Sequence, residues 1–156
     1  MIDQHVTSLE LSKQLYEAGI KIDSEFYWCI EATSKKLLDR IGVARWEPHI
    51  TRGKSLEKTK KNREVFCEYL PAPLSSELGE LLPVYAQFEE ESLPFQIKIE
   101  KGIRDVDTDE WEVVYWRYSK TLVSEPEYQE RGRVFTDTLP DAMAKMALYL
   151  KEKGLL

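Results

Sequence analysis

Three times along this chain a helix-start signature stands beside a run of strand-forming residues, and that pairing restricts the fold to helices laid against an aromatic sheet. In Val6-Thr7-Ser8-Leu9-Glu10-Leu11, Thr7 is placed to cap a helix, Glu10 to reach back to it, and Val6 to staple onto Leu11. Gly19, tolerant of the left-handed conformation, then ends the helix. In Leu70-Pro71-Ala72-Pro73-Leu74-Ser75-Ser76-Glu77-Leu78 the prolines hold the chain extended until a serine caps a short helix ending near Pro83. Its apolar face comprises Leu74, Leu78, Leu81 and Leu82. The third start is Thr138-Leu139-Pro140-Asp141, where Thr138 caps, proline occupies the first turn harmlessly, and Asp141 faces the positive end of the helix dipole. Leu139, Ala142, Met143, Met146, Ala147 and Leu150 form this helix's apolar stripe, and Gly154 ends it.

Between the helices the period changes. Glu25 to Ile30 is dense in aromatic and β-branched residues and reads as a buried strand. Trp46 to Ile50 permits a short extended segment, and Glu64 to Leu70 alternates. Phe95, Ile97 and Ile99 alternate with Gln96, Lys98 and Glu100, the pattern of a half-exposed antiparallel strand. Its expected partner is Trp111 to Tyr118, reached through an acidic turn region, Gly102 to Glu110, longer than a tight hairpin. Arg133 to Phe135 adds a brief edge strand. The expected fold is α+β: one domain over residues 1–156, an antiparallel or mixed sheet of four to five strands, about three helices packed on it, and a basic insertion over 33–63.

The chain carries a net charge of −6, but unevenly. Thr33 to Arg63 holds ten Lys or Arg against three Asp or Glu, a local +7 that leaves −13 for the remainder. Cys29 and Cys67 both lie in apolar strand-like runs, so free buried thiols of a reducing compartment are expected. Residues Met1 to Gln4 show no leader pattern, and no apolar run approaches the roughly 20 residues of a membrane span, so the expectation is a cytoplasmic protein without membrane contact.

The segments TSLELSKQLYEAG leading into SEFYW, YLPAPLSSELGELLP, and LPDAMAKMALYLKEKGLL together resemble a family of small, functionally uncharacterised proteins of tailed phages and prophages. The resemblance covers about half of the chain and implies an α/β/α-sandwich-like domain of phage origin, with no activity or site residues to transfer. Two features depart from the family pattern: Leu74 stands where a threonine cap is usual, and Gly79 lies inside a helix, where it costs on the order of 1 kcal/mol relative to alanine. The basic insertion is also longer than the pattern.

No set of residues converges on a reaction. Asp105, Asp107 and Asp109 imitate the start of a calcium loop, but its sixth and twelfth positions hold Glu110 and Trp116 instead of glycine and glutamate. His5, Cys29, His49 and Cys67 lack the closely spaced ligand pairs of a zinc site. Cys29 with His49 is the one thiol–imidazole pairing available, and a strand cysteine between Trp28 and Ile30 fits a core better than a nucleophile. Gly-Lys-Ser at residues 53–55 lacks the earlier glycine of a phosphate loop, and Glu89-Glu90-Glu91 reads as a solvated charge run. No cofactor or metal is expected.

Two binding readings remain. Arg52, Lys54, Lys58, Lys60, Lys61 and Arg63, with Trp46 as a stacking platform, would give weak, salt-sensitive contact with nucleic acid, opposed by the acidic remainder. Trp111 and Tyr115 on one sheet face, and Trp116 and Tyr118 on the other, call for cover on both sides, by the chain's own helices, a second copy or another protein. The leading expectation is a non-enzymatic phage-type accessory protein acting on a protein partner, with a homodimer permitted. Nucleic-acid binding through 51–63 is the alternative, and an enzyme of unknown class the third reading.

Overall fold

The computed structural model describes residues 4–31, 49–53, 67–88, 93–105, 108–119 and 127–156. Helix α1 (Leu9–Glu17) leads to strands β1 (Phe26–Glu31), β2 (His49–Arg52) and β3 (Cys67–Pro71). Helix α2 (Ser75–Leu81) follows, then β4 (Tyr85–Ala86), β5 (Phe95–Asp105), β6 (Thr108–Ser119), β7 (Glu127–Thr136) and helix α3 (Leu139–Glu152). The architecture is α+β as expected, but these strands form two antiparallel sheets, ordered β2-β1-β3 and β4-β5-β6-β7.

The two sheets pack into separate hydrophobic clusters. Val113 and Tyr115 of β6 and Phe95 of β5 are fully buried under the stripe of Ala142, Met143, Met146, Ala147 and Leu150 on α3, joined by Leu11 and Leu15 of α1 and Leu78 of α2. Small alanines on α3 let the helix sit close to large aromatic residues. Gly79 continues this logic: a Cβ there would lie 3.3 Å from Met143 Cε, so the glycine accommodates the contact between α2 and α3. The smaller sheet has its own cluster of Val6, Phe26 and Ala72, with Trp28, Ile50 and Leu74 against it.

The three helix starts converge instead of acting singly. Val6 bridges Leu74, and the Thr7 N–H donates to Pro73 O at 2.9 Å, tying the entry of α1 to that of α2. The first cap differs from expectation: Ser8 is the N-cap residue and makes no side-chain cap bond, while Thr7 is buried with its hydroxyl 2.7 Å from that of Ser12. Asp141 of α3 accepts the Ser8 N–H instead. At α2 the cap position is Leu74, not a serine; its N–H donates to Glu77 Oε2 at 2.8 Å. Glu77 also accepts from the Glu25 N–H and the Ser24 hydroxyl, at 2.8 and 2.9 Å, so one carboxylate holds α2 to the start of β1. Thr138 caps α3 as read from the sequence, and Gly19 and Gly154 take positive φ beyond α1 and α3.

Three strand expectations change. The arms flanking the acidic region pair up to Asp105 opposite Thr108, so Asp105 and Asp109 belong to strands and not to a calcium loop, while Asp107 lies outside the described residues. Ile99, although on the inward register opposite buried Val113, is 40% exposed. β7 is a ten-residue strand, longer than a brief edge at Arg133 to Phe135. It bulges opposite Val114, where Gly132 takes φ +61°; a Cβ there would come within 2.6 Å of Tyr149 Cδ1.

Candidate functional site

The register of β5, β6 and β7 divides the larger sheet into two chemically distinct faces. Toward the helices lie Phe95, Val113 and Tyr115; the Tyr115 hydroxyl donates to Pro83 O at 2.6 Å, and burial pushes its phenol well above the usual range. Tyr115 is therefore a core residue, not a contact available to a partner. Trp111 is half-buried against the same cluster.

On the other face Trp116 and Tyr118 of β6 meet Tyr128 of β7. Trp116 stacks on Tyr128 with centroids 6.2 Å apart and an interplanar angle of 26°, and Tyr118 lies 5.3 Å from the same ring. Tyr118 and Tyr128 remain 47% and 67% exposed, whereas Val114 at the middle of this face is buried. Around these groups run Lys98 paired to Glu100 at 2.8 Å and Arg133 paired to Glu112 at 2.8 Å and to Glu130. The Glu100 carboxylate, as hydrogen-bond acceptor, raises the Lys98 ammonium pKa, the expected effect of a close acid on a surface amine. Sequence reading found Trp116 and Tyr118 but missed Tyr128, which follows Pro126 in a stretch that resembles a loop.

Beside the inward face, at the far end of α3, Phe88, Arg131, Tyr149, Glu152, Lys153 and Leu155 line a pocket of about 400 Å³. A second cleft of about 470 Å³, near the helix starts, is lined in part by His5, Ser75, Lys101, Trp111 and Asp137. Asp137 there and Asp141 on Ser8 already supply negative charge at that end.

Of the basic residues singled out for nucleic acid, Trp46, Lys54, Lys58, Lys60, Lys61 and Arg63 lie outside the described residues. Arg52 is described: it sits 3.8 Å from Glu25 and 5.6 Å from the centre of the Phe26 ring. Register makes His49 of β2 the direct partner of Cys29 in β1, and Tyr69 of β3 the partner on the other side. Cys29 is buried; the side chains of His49 and Cys67 lie outside the described residues. Cys29 is not among the described residues that line the two pockets above. Among the described residues no group of three or more His, Cys, Asp or Glu could hold a metal ion, and no helix is long and apolar enough to cross a membrane.

Comparison of the chain with protein-family models, curated proteins and solved structures finds no match.

Proposed function

We propose that this chain is a phage-type accessory protein without catalytic activity, which works by binding a protein partner on the outer face of its larger sheet. The observation that supports this reading is the aromatic group Trp116, Tyr118 and Tyr128, two of whose rings are about half or more exposed around buried Val114. An apolar centre of Trp and Tyr inside a charged rim is the composition of a protein-binding surface. The phage origin rests on the sequence resemblance alone.

Charge favours protein over nucleic acid on this face. Among the described residues its cations Lys98 and Arg133 are engaged by Glu100, Glu112 and Glu130, so a polyanion would have to displace those pairs. Contact with nucleic acid through residues 51–63 stays the alternative proposal, supported by the local charge of the sequence. It is tested by binding to a labelled oligonucleotide at low salt, and an unchanged affinity in a Lys54/Lys58/Lys60/Lys61 alanine variant would remove it.

The leading reading is tested with Trp116→Ser and Tyr128→Ser variants of matched circular dichroism, beside Tyr16→Ser as a control on an exposed tyrosine of α1. Proteins captured from phage-infected cells by the wild type should be lost with the first two and kept with the third. Capture of the same proteins by all four chains rules the face out.

A further inference from the structure

We infer that β7, the long end strand of the larger sheet, pairs antiparallel with β7 of a second copy of this chain, so that two four-stranded sheets join across a twofold axis. The contact is a strand edge and not the outer aromatic face, so it stands apart from the function proposed above.

The two ends of this sheet are built differently. Among the described residues the order is β4-β5-β6-β7, which makes β4 and β7 the end strands. β4 is two residues long, and a very short end strand is one way in which sheets avoid pairing with a neighbour. β7 runs for ten residues and holds neither lysine nor proline, the residues that commonly block an edge. Its burial fits an end position. From Tyr128 to Thr136 no residue is buried, whereas Val113, Val114 and Tyr115 of neighbouring β6 are buried in succession. Alternate residues of an end strand turn their N–H and C=O groups away from the sheet, where a second strand satisfies them.

A second copy fits because the facing of side chains along β7 is symmetric about its midpoint. Gln129 bonds Arg117, Arg131 lies 5.4 Å from the centre of the Phe95 ring and Val134 packs on the core cluster, so all three face the helices. Gly132 faces the same way, since a Cβ there would meet Tyr149 of α3. Tyr128, Glu130 and Arg133 face outward, toward Trp116 and Glu112. The bulge therefore sets Arg131 and Gly132 on one side, and facing alternates identically from that midpoint toward both ends. Without the bulge, a ten-residue strand paired with itself over its whole length would set inward residues against outward ones. With it, the full-length register places Tyr128 opposite Phe135, Glu130 opposite Arg133 and Arg131 opposite Gly132 of the second copy. The extra residue of one strand meets the extra residue of the other, and the ladder keeps step on both sides.

The same register is complementary in charge. Glu130 and Arg133 are paired within the chain, and across the twofold axis each also meets the opposite charge of the second copy. Tyr128, 67% exposed, gains an aromatic neighbour in Phe135 of that copy. A slip by one residue in either direction would set Arg131 against itself or against Arg133, and like charges directly opposite destabilise a strand pair.

The test is the mass of the full chain by light scattering from about 10 µM to about 1 mM, the range in which a small interface associates. The wild type should pass from one chain to two, with hydrogen exchange at alternate amides of β7 slowing in step. Glu130→Arg and Arg133→Glu, each with wild-type circular dichroism, set like charges opposite one another twice and should each weaken the dimer about tenfold. A mixture of the two variants brings opposite charges together at both positions and should restore association. The exchange measurement on the wild type holds even if Arg133→Glu, which also loses its pair with Glu112, fails to fold. Trp116→Ser should dimerise as the wild type does, so that failure of this proposal and failure of the outer face as a partner site are separate results. A monomer throughout the range, β7 amides already protected at the lowest concentration by another segment of the chain, or a dimer that the charge variants leave unchanged would each overturn the assignment.

Discussion

The Ser8 backbone N–H donates to Asp141 Oδ1 at 2.7 Å, joining the first turn of one helix to the first turn of another across 133 residues of chain. Asp141 thereby places one carboxylate near the positive ends of both α1 and α3, where each helix dipole favours it. Its own backbone N–H is bound by the Thr138 hydroxyl, so the carboxylate is held in place and leaves the α1 cap without need of a Thr7 or Ser8 side chain. Asp141→Ala should destabilise the fold by about 2 kcal/mol, combining a lost charge-assisted bond with two lost dipole contacts. Asp141→Asn keeps an acceptor and loses the charge, so urea unfolding should place it near half that cost; equal effects of both substitutions would assign the whole contribution to charge.

Much of this scaffold is legible in the residues, and the parts that are not share a cause. Thr138, Gly19 and Gly154 act locally, so their roles can be read from neighbouring residues. The caps of α1 and α2 are long-range: Asp141 supplies one, and Glu77 serves Leu74 together with Glu25 and Ser24. Alternation identifies the two faces of a strand but not its neighbours, and so it cannot distinguish one sheet of five strands from two sheets of three and four. Among the surface aromatics, Trp116 and Tyr118 stand out by composition, whereas Tyr128 joins them only through its register opposite Tyr118. The pocket at Arg131 carries no sequence signature, because its walls come from β7, the end of α3 and the segment between β4 and β5.

Tyr115 links stability to alkaline pH. Its folded-state pKa is raised by burial, so it keeps its proton above pH of about 10, where the same phenol in the unfolded chain loses it. The folded state then binds more protons than the unfolded state, and stability falls as pH climbs past the unfolded value. Below that pH this contribution is fully present. Tyr115→Phe removes the bond to Pro83 O and should cost about 1 kcal/mol near neutrality, while making unfolding less sensitive to pH above about 10. Urea midpoints at the two pH values decide it, and an unchanged pH sensitivity would assign the alkaline loss to other groups.

Cys29 should behave as a core thiol. It is 4% exposed in the middle strand of the smaller sheet, and access as well as thiolate character governs thiol reactivity. An aromatic disulfide reagent should label the Cys29 peptide slowly in the native chain and rapidly in urea, as followed by mass spectrometry. Fast native labelling that falls when His49 is replaced by Ala would indicate that the register partner activates the thiol, and would reopen the thiol-enzyme reading.

Gly132 is the position where backbone and packing both exclude a side chain. Its φ of +61° disfavours any L side chain by about 1–2 kcal/mol, and the added Cβ would overlap the Tyr149 ring. The ring packs where α3 meets the bulge that turns β7 past Val114, so its displacement disturbs that contact. Gly132→Ala should therefore cost about 3 kcal/mol, beyond the conformational term alone, through displacement of Tyr149. In a Tyr149→Ala background the overlap is gone and the same substitution should cost only the conformational share, about 1–2 kcal/mol. A double-mutant cycle in urea measures the difference; a coupling near zero would mean that the ring moves aside freely and that the bulge is fixed by the glycine backbone alone.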